Sequence, residues 1–216
     1  MSEVTFYKPL PPIICLTGID GCGKSTHLKT ISRRLAEEKK VTAAFLTVWD
    51  ISRNKRYQSH SFISDKEAIY RYLATLHGGA RMLFIAHALM ESLELLLEEK
   101  PDVILADGYW YKYLFSESLH GLGVDWLLKA VTGFPEPHKC VLLDIPAERS
   151  WARKPGITPY ECGMAEPGEK TFLSFQTRLR QEMLRYARGK NWSVISVDRP
   201  VNDVADELWK LLKDEV

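Results

Sequence analysis

The sequence predicts an α/β fold, with five parallel strands in one sheet and helices on both of its faces. Three observations point there. Five short apolar runs, partly β-branched, are spaced along the 216 residues. Amphipathic helical patterns lie between them, and such alternation implies a parallel sheet buried on both sides. Between the first strand and the first helix stands a glycine-rich turn, "GIDGCGKST", at residues 18–26.

In chain order, the first strand is "IICLT" (13–17), short and wholly apolar but for its last residue. A helix over 24–38 follows, with Leu28, Ile31 and Leu35 on one face and Lys29, Arg33 and Arg34 between them. "TAAFLTV" (42–48) is the second strand. Helical spacing covers 66–76 and 80–99, and "VILAD" (103–107) is the third strand. A helix over 123–131 precedes "CVLLDI" (140–145), and helices over 147–153 and 170–188 precede "WSVISVD" (192–198). A helix over 202–213 closes the chain. The helix over 80–99 has a broad apolar face, including Leu83, Phe84, Ala88, Leu89 and Leu93. That face packs into the core or is shared with a second copy in a homodimer. Nothing reads as a repeat or a linker, so residues 1–216 are expected to form one domain. The least regular stretches are 49–64 and 154–169. Both follow elements leading out of the sheet, where open parallel sheets bind ligands, so both are candidates for closing over substrate. The second belongs to a lid around 149–169.

A formal net charge of +1 argues against a nucleic-acid binder working by bulk charge. Cys15, Cys22, Cys140 and Cys162 form no C-x-x-C pair, so reduced thiols and a cytoplasmic location are expected. The opening "MSEVTFYKPLPP" has no apolar leader core, and no apolar run is long enough to span a membrane.

The spacing Gly18-x-x-x-x-Gly23-Lys24-Ser25 fits a Walker A phosphate loop, in the strand-to-helix context that such a loop requires. Glycines let backbone N–H groups converge on an anion, and the helix N-terminus adds partial positive charge. Gly18, Asp20, Gly21, Cys22, Gly23, Lys24, Ser25 and Thr26 are therefore expected to cradle a nucleoside triphosphate. Lys24 would reach the β- and γ-phosphates and Ser25 would offer its hydroxyl to Mg²⁺. The fold becomes the three-layer P-loop NTPase arrangement. A GTPase switch would need a guanine-reading Asn-Lys-x-Asp, and "NKRY" at 54–57 lacks the aspartate. A small-molecule kinase needs a phosphate loop, a second carboxylate, an acceptor pocket and a basic lid. Asp107, ending a strand beside the loop, is the candidate Mg²⁺ carboxylate, with Asp144 the runner-up or a helix cap. Arg149 and Arg153 share a helix face in the lid. Arg153 is expected to stabilise the transferring phosphoryl group and Arg149 to help hold the nucleotide.

The chain resembles the thymidylate kinase family over nearly its whole length. "GIDGCGKST" is similar to that family's phosphate loop, Asp20 included, and the resemblance implies that Asp20 holds the acceptor sugar's 3′-hydroxyl. "LFIAHALME" resembles the helix in which a phenylalanine, here Phe84, stacks on thymine. "VILADGYW" resembles a strand ending in Asp-Arg-Tyr, "VLLDIPAERSWARK" the entry to the lid, and "FLSFQTRLRQEMLRYA" the helix after it. Gly21 stands where one branch of the family carries a loop arginine, which leaves that role to the lid. The resemblance implies ATP-dependent phosphorylation of a nucleoside monophosphate, dTMP to dTDP, with ATP and Mg²⁺ as cofactors and a small nucleotide as partner. The alternatives are a kinase for another nucleotide or nucleoside, or a nucleotide-binding regulatory protein that has lost transfer. Three positions depart from the pattern. The Asp-Arg pair is Asp107-Gly108, the arginine four residues after Phe84 is Ala88, and "WDISRNKR" replaces an Arg-Glu-Pro segment. Candidates to supply the acceptor-site charge are Lys112, one turn beyond Gly108 if "YWYKYL" is helical, and Arg53 or Arg56 beyond the second strand. Tyr109 is a further acceptor-site candidate.

Overall fold

The five apolar runs pair as parallel strands in the order β2-β3-β1-β4-β5. They are β1 (Ile13–Thr17), β2 (Ala43–Leu46), β3 (Val103–Asp107), β4 (Lys139–Asp144) and β5 (Ser193–Ser196). The structure is a computed structural model that describes residues 10–216, apart from the Arg53 side chain. The first nine residues, on which the expectation of no leader partly rests, lie outside the described residues. β1 is buried throughout, and its neighbours β3 and β4 are buried except at their ends. Burial on both sides is why these runs are apolar without alternation. The edge strands differ: Phe45 of β2 and Val194 of β5 are exposed. The sheet with its covering helices is the expected α/β P-loop architecture.

Eight α-helices surround the sheet among the described residues: α1 (Lys24–Arg34), α2 (Lys66–Thr75), α3 (Gly78–Glu98), α4 (Tyr109–Leu119), α5 (Val124–Ala130), α6 (Ala147–Trp151), α7 (Glu169–Gly189) and α8 (Val201–Leu212). A π-helical turn, Leu35–Lys39, continues α1 and ends at Lys40 in the left-handed region. Asp65 caps α2, its carboxylate accepting from the N–H groups of Glu67 (2.9 Å) and Ala68 (3.0 Å). The expected helices all form, with ends shifted by up to four residues. α4 is the addition. It is buried from Tyr109 through Glu117 except at Lys112, so its sequence shows no one-sided period. A buried bidentate pair, Arg81 Nε and Nη2 to Glu117 at 2.7 and 2.8 Å, ties α3 to α4. All four cysteines are free and buried. No helix among the described residues is long and apolar enough to cross a membrane.

The registers align Leu16 with Asp107 and Thr17 with Leu142. The glycine-rich loop thus leaves β1 beside the carboxyl ends of β3 and β4. β1 lies where the strand order changes direction, and that crevice is where open parallel sheets take ligands.

Candidate active site

The loop after β1 bends through glycines into α1. Gly21 has φ +82, and a methyl group on it would lie 2.5 Å from Ser150 Oγ, so the loop packs directly on α6. Gly18 passes close to β4, and Gly23 precedes α1 with no side chain capping the helix. The first-turn N–H groups of α1 are therefore free of side-chain acceptors, as anion sites at helix starts require. Lys24 is buried, and its ammonium donates to the carbonyls of Gly18 (3.1 Å) and Ile19 (3.0 Å). Cys22 is buried beneath the loop, its sulfur 3.7 Å from that ammonium, and burial pushes its thiol pKa up.

A cavity of about 750 Å³ opens over the loop, lined by Gly21, Gly23, Lys24, Ser25, Thr26 and Asp107 and, across from them, Arg153 and Arg199. The Ser25 hydroxyl and the Asp107 carboxylate share this cavity. One hydroxyl, one carboxylate and substrate phosphates form a hard oxygen set that suits Mg²⁺. Asp144 is not available to it: Arg180 of α7 holds both its oxygens, at 2.6 and 2.9 Å. No side chain caps α6, so Asp144 is not its helix cap either. Arg153 donates to the Val197 carbonyl (3.0 Å) while lining the cavity. Arg149 turns outward, two-thirds exposed, to Asp198 (2.8 Å), and does not line the cavity. α6 ends at Trp151, so Arg153 lies beyond the helix and does not share its face with Arg149 as expected; the structure does not bring Arg149 to the nucleotide site. Two residues without a motif are brought there instead, Arg199 and the buried His27, whose pKa burial and nearby Arg153 push down.

A second cavity of about 290 Å³ adjoins the first. Trp49, Tyr70, Ile85, Tyr113, Tyr160 and Met164 form much of its wall, and Asp20, Lys112 and Glu161 add charge. Asp20, Trp49, Lys112 and Tyr113 line both cavities. Lys112, on the inward face of α4, is ion-paired with Asp20. Burial alone would raise the Asp20 carboxyl, but the ammonium groups of Lys112 and Lys24 outweigh it and hold its pKa below the ordinary range. Burial would lower Lys112 and the Asp20 carboxylate overrides it, so its pKa is raised. Gln176 of α7, which no motif marks, is fully buried and organises this corner. Its carbonyl accepts from Asp20 N–H (3.0 Å), and its amide donates to Asp20 Oδ2 (3.2 Å) and to the Glu161 carbonyl (2.8 Å). Ser150 donates to the Asp20 carbonyl, and Lys154 pairs with Glu161.

Three acceptor-site expectations meet a different arrangement. Phe84 does not line the cavity: its ring packs against Tyr72 (5.5 Å) and Phe62 (6.3 Å), and Ile85, about 100° round the helix, faces inward. Tyr109 is fully buried, donating to the Pro135 carbonyl (3.1 Å), with its ring edge-on to Phe134, so it belongs to the core. Tyr113, one turn on, reaches both cavities. Arg53 ends a short 3₁₀ turn, Asp50–Arg53, and its side chain lies outside the described residues. Arg56 is exposed, 3.9 Å from Glu98.

Comparison with known proteins agrees with the resemblance. The family model for thymidylate kinase matches residues 16–208. The "probable thymidylate kinase" of Pyrococcus abyssi is 24% identical over 217 residues, covering 94% of this chain and 96% of its own. That of Sulfolobus acidocaldarius is 24% identical over 204 residues, covering 93% and 95%. The "thymidylate kinase" of Cupriavidus necator is 26% identical over 205 residues, covering 92% and 96%.

Proposed function

The chain belongs to the thymidylate kinase family, and on that premise we propose that it transfers the γ-phosphoryl group of ATP to a nucleoside monophosphate, dTMP, releasing ADP and dTDP. The observation that carries this reading is the pair of adjoining cavities. One lies over a phosphate loop, the other is walled by aromatic rings, and they meet at Asp20 and Lys112.

ATP binds along the loop from Gly18 to Thr26, its phosphates on the loop and first-turn N–H groups and on Lys24. Ser25 and Asp107 would hold Mg²⁺, which would supply charge neutralisation to the phosphate oxygens of ATP. The acceptor lies in the aromatic cavity with its phosphate toward the loop. A phosphate oxygen of the acceptor bonds to the γ-phosphorus as the bond to the β–γ bridging oxygen breaks, and the electron pair leaves with ADP. The acceptor oxygen is already anionic, so no side chain need remove a proton. Catalysis is positioning and charge stabilisation, and Arg153 supplies charge where the equatorial oxygens develop it. Residues around 149–169 act as a lid of the single domain, joined to the loop through Ser150, which donates to the Asp20 carbonyl, and through Gln176, which bonds both Asp20 and Glu161. The reading extends to a cytoplasmic location and to a homodimer, the latter supported by the exposed Leu83 of α3 and Trp126 and Leu128 of α5.

Lys24→Ala tests the reading. The variant should keep the parent circular dichroism spectrum and lose nearly all acceptor-dependent ADP release, because its ammonium contacts loop carbonyls rather than core. Activity within about twofold of the parent contradicts the assignment of Lys24 to phosphate.

A further inference from the structure

We propose that the Asp20–Lys112 ion pair is a latch that the acceptor's phosphate opens, and that it makes the site select a nucleoside monophosphate over the nucleoside. The inference rests on the kinase reading and names how its acceptor is chosen.

Position comes first. Asp20 and Lys112 both line both cavities, so the pair stands where the acceptor phosphate must lie to meet the γ-phosphate. The two partners are held very differently. Asp20 is fixed on three sides: its N–H and Oδ2 by Gln176, and its carbonyl by the Ser150 hydroxyl. The Lys112 ammonium has one hydrogen-bond acceptor among the described residues, Asp20 Oδ1. Its stem lies over Gly108, where an added methyl would sit 3.2 Å from Lys112 Cβ and 3.4 Å from Cδ. With glycine there, no side chain pins the stem from below. Lys112 is thus the partner that moves.

Charge supplies the driving force. Lys112 is the one cation among the described residues lining the aromatic cavity, which also carries the carboxylates of Asp20 and Glu161. While Lys112 stays on Asp20, the wall of the aromatic cavity offers an entering phosphate no unpaired cation among the described residues. A buried anion without a partner is costly, so the phosphate binds by drawing the ammonium across. Asp20 stays in place and its Oδ1 becomes available to a hydroxyl of the acceptor. A nucleoside carries the hydroxyl and lacks the phosphate. To reach Oδ1 it must displace the ammonium and offers no charge in exchange.

The test is calorimetric binding of dTMP and of thymidine to the parent, to Lys112→Met and to Asp20→Asn, with thermal melting of each. Lys112→Met keeps the packing of the stem. In this variant dTMP should weaken by about tenfold or more, as expected when one partner of a desolvated charge pair is removed. Thymidine should bind as well as before or better, so the preference for dTMP over thymidine falls. In Asp20→Asn the ammonium is released in advance, and the same preference should hold or rise. A merely structural role would move the ratio the same way in both variants. The latch is overturned if the ratio in Lys112→Met stays within about threefold of the parent, or if Asp20→Asn lowers it. Should Lys112→Met melt below the assay temperature, the Asp20→Asn ratio decides. Binding needs no turnover. A parent that shows the latch pattern without releasing ADP refutes the kinase reading and not the latch.

Discussion

Gln176 is the residue through which α7 sets both the phosphate loop and the lid, and replacing it with leucine measures that role. Leucine has nearly the same volume and no polar atoms. The change removes three hydrogen bonds, at 3.0, 3.2 and 2.8 Å, and leaves the Asp20 N–H and the Glu161 carbonyl without these partners. Asp20 Oδ2 loses a donor while Oδ1 keeps Lys112. At about 1–3 kcal/mol per unmade buried group, with some relief from water near the lid, the cost is about 3 kcal/mol. For a chain of this size each kcal/mol is worth about 2–4 °C, so Tm should fall by about 6–12 °C. The kinetic signature separates positioning from bulk stability. At a temperature where the variant is folded, KM for the acceptor should rise several-fold and KM for ATP by less, because Gln176 holds both the Asp20 carboxylate, which lines the acceptor cavity, and the Asp20 N–H within the ATP loop. Gln176→Glu keeps the shape but sets a carboxylate against Asp20 Oδ2, and should be worse than leucine on both counts. Differential scanning fluorimetry and steady-state ADP release read the two effects. A Tm drop under about 2 °C together with an unchanged acceptor KM refutes the claim that Gln176 holds this corner.

Arg153→Ala should lower kcat by about 10²–10³ while leaving ATP affinity nearly intact, as expected for charge used in the transition state; a change confined to KM for ATP makes Arg153 a binding residue. Arg81→Met leaves Glu117 buried without its partner and should cost about 3–5 kcal/mol in urea unfolding, whereas Arg81→Met with Glu117→Leu should recover much of that loss. His120, stacked on Phe175 at 5.2 Å, has its pKa pushed down from 6.5 to about 4 by burial and by Arg81. Between those values the unfolded chain binds the proton and the folded one does not, so stability falls as pH drops from 6.5 toward 4 and the loss is complete below 4. By pH 5 the loss is at most about 2 kcal/mol, and His120→Phe should flatten that part of the pH profile in urea unfolding; an unchanged slope assigns the dependence to another group.

The sheet could be read from the sequence because strands buried on both faces must be apolar throughout, and "IICLT", "VILAD" and "CVLLDI" are. The phosphate loop could be read because its chemistry fixes residue types at fixed spacing. α4 escaped for the same reason that β1 was plain. Its run "YWYKYLFSE" is buried on nearly every side, and without a polar face a helix has no period to show. Helix phase was the second obscurity. Phe84 and Ile85 are neighbours in sequence and lie about 100° apart around α3, so the aromatic residue that the resemblance marks is not the one facing the cavity. Tyr109 and Tyr113 repeat the point one turn apart on α4. Gln176 and Arg180 gave no local signal at all. They act across 156 and 36 residues, on Asp20 and Asp144, and only the packing of α7 against the loop and β4 brings them there.

The central claim is that one site joins an ATP-binding loop to a nucleotide acceptor through Asp20 and Lys112. The most direct measurement follows a radiolabelled γ-phosphate from ATP, in the presence of Mg²⁺, offered dTMP and, separately, other nucleoside monophosphates and thymidine. The account predicts label in dTDP, formed in step with ADP, with none in the product of thymidine and almost none formed by Lys24→Ala. Label released as inorganic phosphate, or ATP bound with no acceptor labelled, would contradict it.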